Sequence, residues 1–431
     1  MPLVAVPSAF ASSQRSLPFA LYDVRGQLLL GAGVPVTGGV RQRMAEGQAV
    51  YGEADDVSPW ADYIRLAVRR AARPTGGASS SGGVMPQPVR LAGIQMGTAD
   101  TMVSGNAPVV INARGVIDKP DGKIEGSVID QVHAAASGLS GALRDSANSP
   151  AGSGADWLPR TLDSLEQLRR VARRQPDATI YLLMQHCLHS TSAYSAHHGL
   201  LSALLVKRVA RHLGWPEEEV TVLMRAAVTM NVGMARLQDQ LAQQAGPLLP
   251  EQRRIIDDHP DAGAELLRSA GVGDALWLDI VRLHHAPDLA QRRNESAATR
   301  LAYLLQMVDR YSAKMSSRKG RAPMTALAAA RDTCLPENGR PDAIAAALFK
   351  ALGLYPPGTY VKLASGEVGV VIGQGARADQ PRVAVLVGAS GLPLTDPMAR
   401  DTSQPGRQVA APLTAEAVKV RLPALKVLAL A

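Results

Sequence analysis

Five residues in the middle of the chain carry side chains suited to binding cations: His198, His259, His284, His285 and Asp309. Most of the nine histidines lie between His186 and His285. Imidazole nitrogen suits zinc, iron or manganese, and a carboxylate bridges such ions. Two ions ~4 Å apart would hold a hydroxide for in-line attack on a phosphodiester. A single histidine on a helix is more often a packed or surface residue than a ligand. Clustering in sequence therefore leaves both readings open, although the adjacent pair His284-His285 is less usual.

Residues so far apart converge only if long elements carry them to one place. Leu162, Leu165, Leu168 and Val171 recur at helical spacing, as do Leu200, Leu204, Leu205 and Val209. Pro216 followed by Glu217-Glu218-Glu219 opens a helix, with the acids at the positive end of its dipole. Pro250-Glu251 opens another that runs into His259. Helical patterns follow at 274–285 and 296–317. No strand pattern interrupts residues 155–352, so an all-α domain is expected there.

The flanks differ. Residues 1–60 read as a small β-rich domain, strand-rich over 17–51 and punctuated by Gly31, Gly33, Gly38 and Gly39. Within it, Asp23-Val24-Arg25-Gly26 is a hairpin turn between two apolar runs. An amphipathic helix is expected at 61–73 and a Gly/Ser linker at 74–88. A mixed segment fills 89–154, with short strands to 124, a helix at 127–144 and a second joint at 146–154. Residues 353–431 read as a β appendage, with strands at 360–363, 369–372 and 383–387. The expected fold is thus multidomain: a β-rich start, an all-α core and a small β end.

Composition narrows the function classes. The net charge is +8, yet no Lys/Arg block of the kind that marks a nucleic-acid patch occurs, so DNA is not an expected partner. No apolar run is long enough for a membrane-spanning helix. The first residues lack an early Lys or Arg and a cleavage context, which makes a poor signal peptide. Cys187 and Cys334 form no disulfide framework and suit a reducing cytoplasm.

Several stretches are similar to one family. Tyr194-Ser195-Ala196-His197-His198, His259-Pro260-Asp261-Ala262-Gly263, His284-His285 and Met307-Val308-Asp309-Arg310-Tyr311 resemble the ligand motifs of HD-GYP domains, a branch of the HD metal-dependent phosphohydrolases. Tyr355-Pro356-Pro357-Gly358-Thr359-Tyr360-Val361-Lys362-Leu363-Ala364-Ser365-Gly366-Glu367-Val368-Gly369-Val370-Val371 is similar to the strand pair that often follows such a domain. Pro18-Phe19-Ala20-Leu21-Tyr22 and the hairpin after it look like the β segment ahead of some members. The resemblance implies an HD-type helical core, hydrolysis of cyclic di-GMP over two or three metal ions, and metal ligands at His198, His259, His284, His285 and Asp309. It puts Arg318 where the family has a substrate-facing arginine.

The departures fall on the chemistry. The family's His-Asp pair and its Lys align with Met230, Asn231 and Met234, and only Gly233 is kept. A thioether is a poor ligand for hard ions, and a neutral amide cannot supply the charge that bridges two cations. After His284-His285 comes Ala286-Pro287-Asp288-Leu289, without the Gly-Tyr-Pro loop. The expectation is a non-catalytic member that binds protein partners or cyclic di-GMP in bacterial signalling. The alternative is a working phosphohydrolase with a single ion (iron, manganese or zinc) held by His198, His284, His285 and Asp309, with Asn231 as a weak further ligand. A third reading is a catalytically dead docking platform. A homodimer is compatible with each.

Overall fold

A computed structural model describes residues 3–6, 20–31, 38–46, 48–53, 127–146, 156–334 and 341–431. The helix expected at 61–73, the linker at 74–88 and the strands expected between 89 and 124 lie outside the described residues, as does most of the joint at 146–154. The chain divides into two compact units, Met1–Asp118 and Lys119–Ala431.

The first unit is a four-stranded sheet of β1 (Leu3–Val6), β2 (Leu21–Tyr22), β3 (Leu28–Leu30) and β4 (Val50–Glu53), in the order β1-β4-β2-β3. The hairpin turn forms as its residues require. Asp23 Oδ1 accepts the Arg25 and Gln27 amides at 2.8 and 2.9 Å, and Gly26 takes φ +77°. Gly38 and Gly39 do not act as loop punctuation. They open helix α1 (Gly38–Ala45), because the run behind them, Arg41-Gln42-Arg43-Met44-Ala45, is made of strong helix formers.

The second unit begins with α2 (Val128–Ser146), α3 (Trp157–Arg174) and α4 (Pro176–His189). Helix α5 (Tyr194–His212) runs through the centre and is buried on nearly every side up to Ala210. Around it lie α6 (Glu217–Thr229), a 3-10 turn (Val232–Met234), α7 (Ala235–Ala242), α8 (Pro250–Ser269), α9 (Ala275–Leu283), α10 (Leu289–Arg292), α11 (Ala297–Met315), α12 (Ala326–Cys334) and α13 (Ala343–Leu352). Helix α5 packs against α4, α6, α11 and α13. Helix α2, which precedes the expected start of the helical domain, packs on α3 and adds Ala135, Leu139 and Leu143 to the core. Caps set several ends. Ser296 Oγ accepts the Thr299 amide at 3.1 Å, while Thr299 Oγ1 accepts the Ser296 amide, also at 3.1 Å.

The chain ends in an antiparallel sheet of β5 (Tyr360–Leu363), β6 (Val368–Gly373), β7 (Arg382–Val387), β8 (Pro393–Asp401) and β9 (Val409–Leu413), ordered β8-β7-β6-β5-β9. The period of two assigns its faces. Val370, Ile372, Ala384 and Leu386 join the helical core, while Val361, Leu363, Val371, Val383 and Val385 form a second cluster behind them. Polar contacts lock sheet to helices. Gln185 Nε2 donates to the Gly358 carbonyl at 2.6 Å, and His189 Nε2 lies 2.8 Å from the Tyr360 hydroxyl. A short helix α14 (Ala424–Leu428) closes the chain. Among the described residues no helix is long and apolar enough to cross a membrane.

Candidate metal centre

The cation-binding side chains come from four helices. His198 is on α5, His259 on α8, His284 and His285 follow the end of α9, and Asp309 is on α11. Helix α9 packs on both α8 and α11, which brings the middle of each to its C-terminus. The turn at 231–234 lies against α8 because Gly233 has no side chain. A Cβ there would stand 2.6 Å from the His259 carbonyl oxygen and 2.8 Å from the Gly263 nitrogen. A glycine at position 233 thus has a packing cause.

Helix geometry fixes two of the imidazoles. Pro260 sits inside α8 and has no amide proton, so the Ile256 carbonyl four residues earlier loses its helical donor. His259 supplies the donor through Nδ1–H, at 2.5 Å. Helix α9 ends at Leu283, which leaves the Val281 carbonyl without a helical partner, and His284 Nδ1–H donates to it at 2.6 Å. A carbonyl oxygen can only accept, so each ring carries its proton on Nδ1. Each Nε2 therefore presents a bare lone pair, and the two atoms face each other at 3.2 Å. Neither has a proton to share. Burial pushes His284 down to about 3 and His259 down to about 4, so both rings are neutral at pH 7.

His285 completes the group. One nitrogen from each of His259, His284 and His285 lies within 4.8 Å of the others. His284 is fully buried, whereas the His285 side chain is 34% exposed, so the cluster opens to solvent on the His285 side. His285 Nε2 is 3.9 Å from Asp309 Oδ2. Burial raises the Asp309 pKa, but the hydrogen bond from His198 and the surrounding imidazoles outweigh it and hold the carboxyl below its usual range. Three neutral imidazoles beside one carboxylate, with two lone pairs converging, form a donor set that fits one divalent cation. Imidazoles with the second nitrogen bonded to backbone carbonyl match the way protein ligands to metals are usually oriented.

His198 is engaged differently. Its Nε2 is 2.7 Å from Asp309 Oδ1, and its Nδ1 is 3.4 Å from Ser312 Oγ. Tyr194 stacks on the His198 ring, and Arg318 donates to the Tyr194 hydroxyl at 2.8 Å. Arg318 thus braces the His198 side of the site through Tyr194. Asn231 is buried, and its Oδ1 has no hydrogen-bond partner among the described residues. Met230 is 1% exposed and belongs to the apolar core, whereas Met234 is half-buried and outside it.

Sequence reasoning missed the supporting groups. Asp239 accepts the Ser195 amide at 2.7 Å and anchors the start of α5. Gln306 Nε2 donates to the Ala286 carbonyl at 3.0 Å and fixes the segment after His285. Pro260 was in plain view: a proline directly after a candidate ligand frees a carbonyl for that ligand's ring.

Comparison with known proteins follows the same direction. No family model matches the chain. The chain is 28% identical, over 237 residues, to a curated cyclic di-GMP phosphodiesterase of Pseudomonas aeruginosa. The match takes in 53% of this chain and 55% of that protein, so the chain spans about half the length of its curated relative. This similarity supports an HD-GYP domain protein. A solved HDG"Y"P protein from Bdellovibrio bacteriovorus aligns over 80% of this chain and 98% of its own, at 12% identity and a TM-score of 0.40.

Proposed function

We propose that the protein acts in bacterial cyclic di-GMP signalling as an HD-GYP-type module that binds nucleotide or protein partners without hydrolysing the nucleotide. The observation that carries this reading is the turn at 231–234. Where the resemblance calls for an imidazole, a carboxylate and a lysine, the chain has Met230 in the apolar core, the neutral Asn231, and Met234. Asn231 Oδ1 can accept a hydrogen bond or face a cation but brings no charge to hold two ions together. Cys187 and Cys334, both buried free thiols, fit the cytoplasmic location we assign.

His259, His284 and His285 are the residues that would hold one iron, manganese or zinc ion, with Asp309 supplying negative charge beside them. When bound, such an ion supplies positive charge and Lewis acidity toward a phosphodiester oxygen. The chain's own part is to hold the Nε2 lone pairs in place through the Ile256 and Val281 carbonyls, and to keep Asp309 ionised. The test is an assay of the purified chain with cyclic di-GMP and added manganese or iron. We expect no turnover. Hydrolysis that Asp309→Ala abolishes would falsify the non-catalytic reading.

The three-imidazole cluster favours a second reading, a working single-ion phosphohydrolase. Elemental analysis separates the two when combined with turnover. Metal that His284→Ala removes, together with turnover, supports the second. Metal without turnover supports the first. No metal and no nucleotide binding leaves a docking platform, in which protein partners and a homodimer carry the function.

A further inference from the structure

The ligand atoms within mutual reach at this centre are imidazole nitrogens only. Among the described residues, the group whose ligand atoms all lie within 4.8 Å of one another is His259, His284 and His285, and neither Asp309 nor His198 belongs to it. Those two close on each other instead, with His198 Nε2 2.7 Å from Asp309 Oδ1. An ionised carboxylate only accepts, so this contact engages the Nε2 proton of His198 and one oxygen of Asp309. The other ring nitrogen of His198, Nδ1, faces Ser312 Oγ at 3.4 Å. That hydroxyl also meets Ser202 Oγ at 3.2 Å, so Nδ1 points between α5 and α11. The second Asp309 oxygen, Oδ2, is 3.9 Å from His285 Nε2. The resemblance implies five ligands. The structure divides them into three imidazoles with converging nitrogens and a hydrogen-bonded pair beside them.

We propose that this centre is a zinc site of three imidazoles, in which His198 and Asp309 are neighbours and not ligands. The inference rests on the single-ion reading above and names its ion. Ligand type decides the matter. Manganese favours carboxylate, carbonyl and water oxygens, and non-haem iron(II) takes two imidazoles with one carboxylate. Neither set is assembled here, because Asp309 is engaged by His198 and Asn231 is a neutral amide. Three imidazoles with a fourth position left open are an established zinc arrangement. The bare Nε2 atoms of His259 and His284, 3.2 Å apart, are close enough to share one ion at a Zn–N distance of ~2.0–2.1 Å. Their second nitrogens are fixed on the Ile256 and Val281 carbonyls, so neither ring has to change tautomer to bind. The open position falls on the solvent side, next to the half-exposed His285. Asp309 contributes charge beside the imidazoles, and His198 holds it in place.

Competition of the full chain against a metal-chelating dye tests the assignment, with zinc, manganese and anaerobic iron(II) in turn and no nucleotide present. One zinc per chain is expected, bound on the order of a hundredfold tighter than manganese or iron(II). His285→Ala, on the exposed side, is expected to weaken zinc by more than about a hundredfold, beyond what an orienting partner costs. His198→Gln keeps an N–H for Asp309 but removes the imidazole. It is expected to weaken zinc by no more than about threefold, less than the loss of an orienting partner. This variant separates ligand from neighbour and remains informative if His285→Ala does not fold. Manganese or iron(II) bound as tightly as zinc overturns the assignment, as does a loss in His198→Gln as large as that in His285→Ala. Either result leaves the non-catalytic reading standing, because that reading is judged on turnover. Binding of none of the three ions overturns both the zinc assignment and the single-ion site.

Discussion

His259 Nε2 and His284 Nε2 stand 3.2 Å apart with no proton to share, because each ring donates its only N–H to a backbone carbonyl. Two lone pairs at that distance repel each other unless a cation lies between them. The C-terminal end of α9 and Pro260 impose this arrangement.

Pro260→Ala separates helix stability from ligand orientation. The alanine amide can donate to the Ile256 carbonyl and compete with His259 Nδ1–H. A proline inside a helix costs ~3 kcal/mol, so the variant should melt at a higher temperature. Divalent affinity should fall by about tenfold, the lower range for loss of an orienting partner. Titration with zinc or manganese reads this directly, and an unchanged affinity would show that the Ile256 hydrogen bond does not set the His259 ring.

Asn231→Asp places a carboxylate in the turn beside α8. Without metal, a new buried charge should destabilise the chain by ~3 kcal/mol. With saturating manganese the order should reverse, and affinity should rise by about tenfold as the ion gains an anionic neighbour. Melting curves with and without manganese test both halves. Equal manganese affinity in the two proteins would place position 231 outside reach of the ion.

Acidification should weaken the fold through histidines outside the imidazole cluster. Burial lowers His197 and His189 to about 4 from an unfolded value of 6.5. Between these values the unfolded chain holds more protons than the folded one, so unfolding free energy rises with pH across that window. The contribution is complete above pH 6.5 and is lost as pH falls toward 4, by at most ~1.4 kcal/mol per pH unit for each group. His197 also stacks on His186 at 3.3 Å between ring centroids, so protonating it faces a second imidazole. Urea denaturation at pH 5 and 7, compared with His197→Asn, checks the slope. A variant as pH-sensitive as the parent removes His197 from the account.

Local pattern was enough for most elements. Leucine spacing marked the helices, and Asp23 and Gly26 marked the hairpin. Strands β8 and β9 went unread. β8 is an edge strand whose residues, among them Asp396, Met398 and Asp401, stay mostly exposed, so it is held by hydrogen bonds to β7 and shows no buried alternation of its own. Helix α1 went unread because its opening glycines outweighed the helix formers behind them.

Residue identity by itself determined what the turn at 231–234 lacks, since no packing can give Asn231 or Met234 a charge. Only the tertiary structure decided which imidazoles meet. His198 pairs with Asp309, 111 positions away, while His259, His284 and His285 gather beside them. The reason is the same in each case: a side chain's chemistry is local, but its partners belong to other helices, and the angles at which those helices cross are set by the whole core.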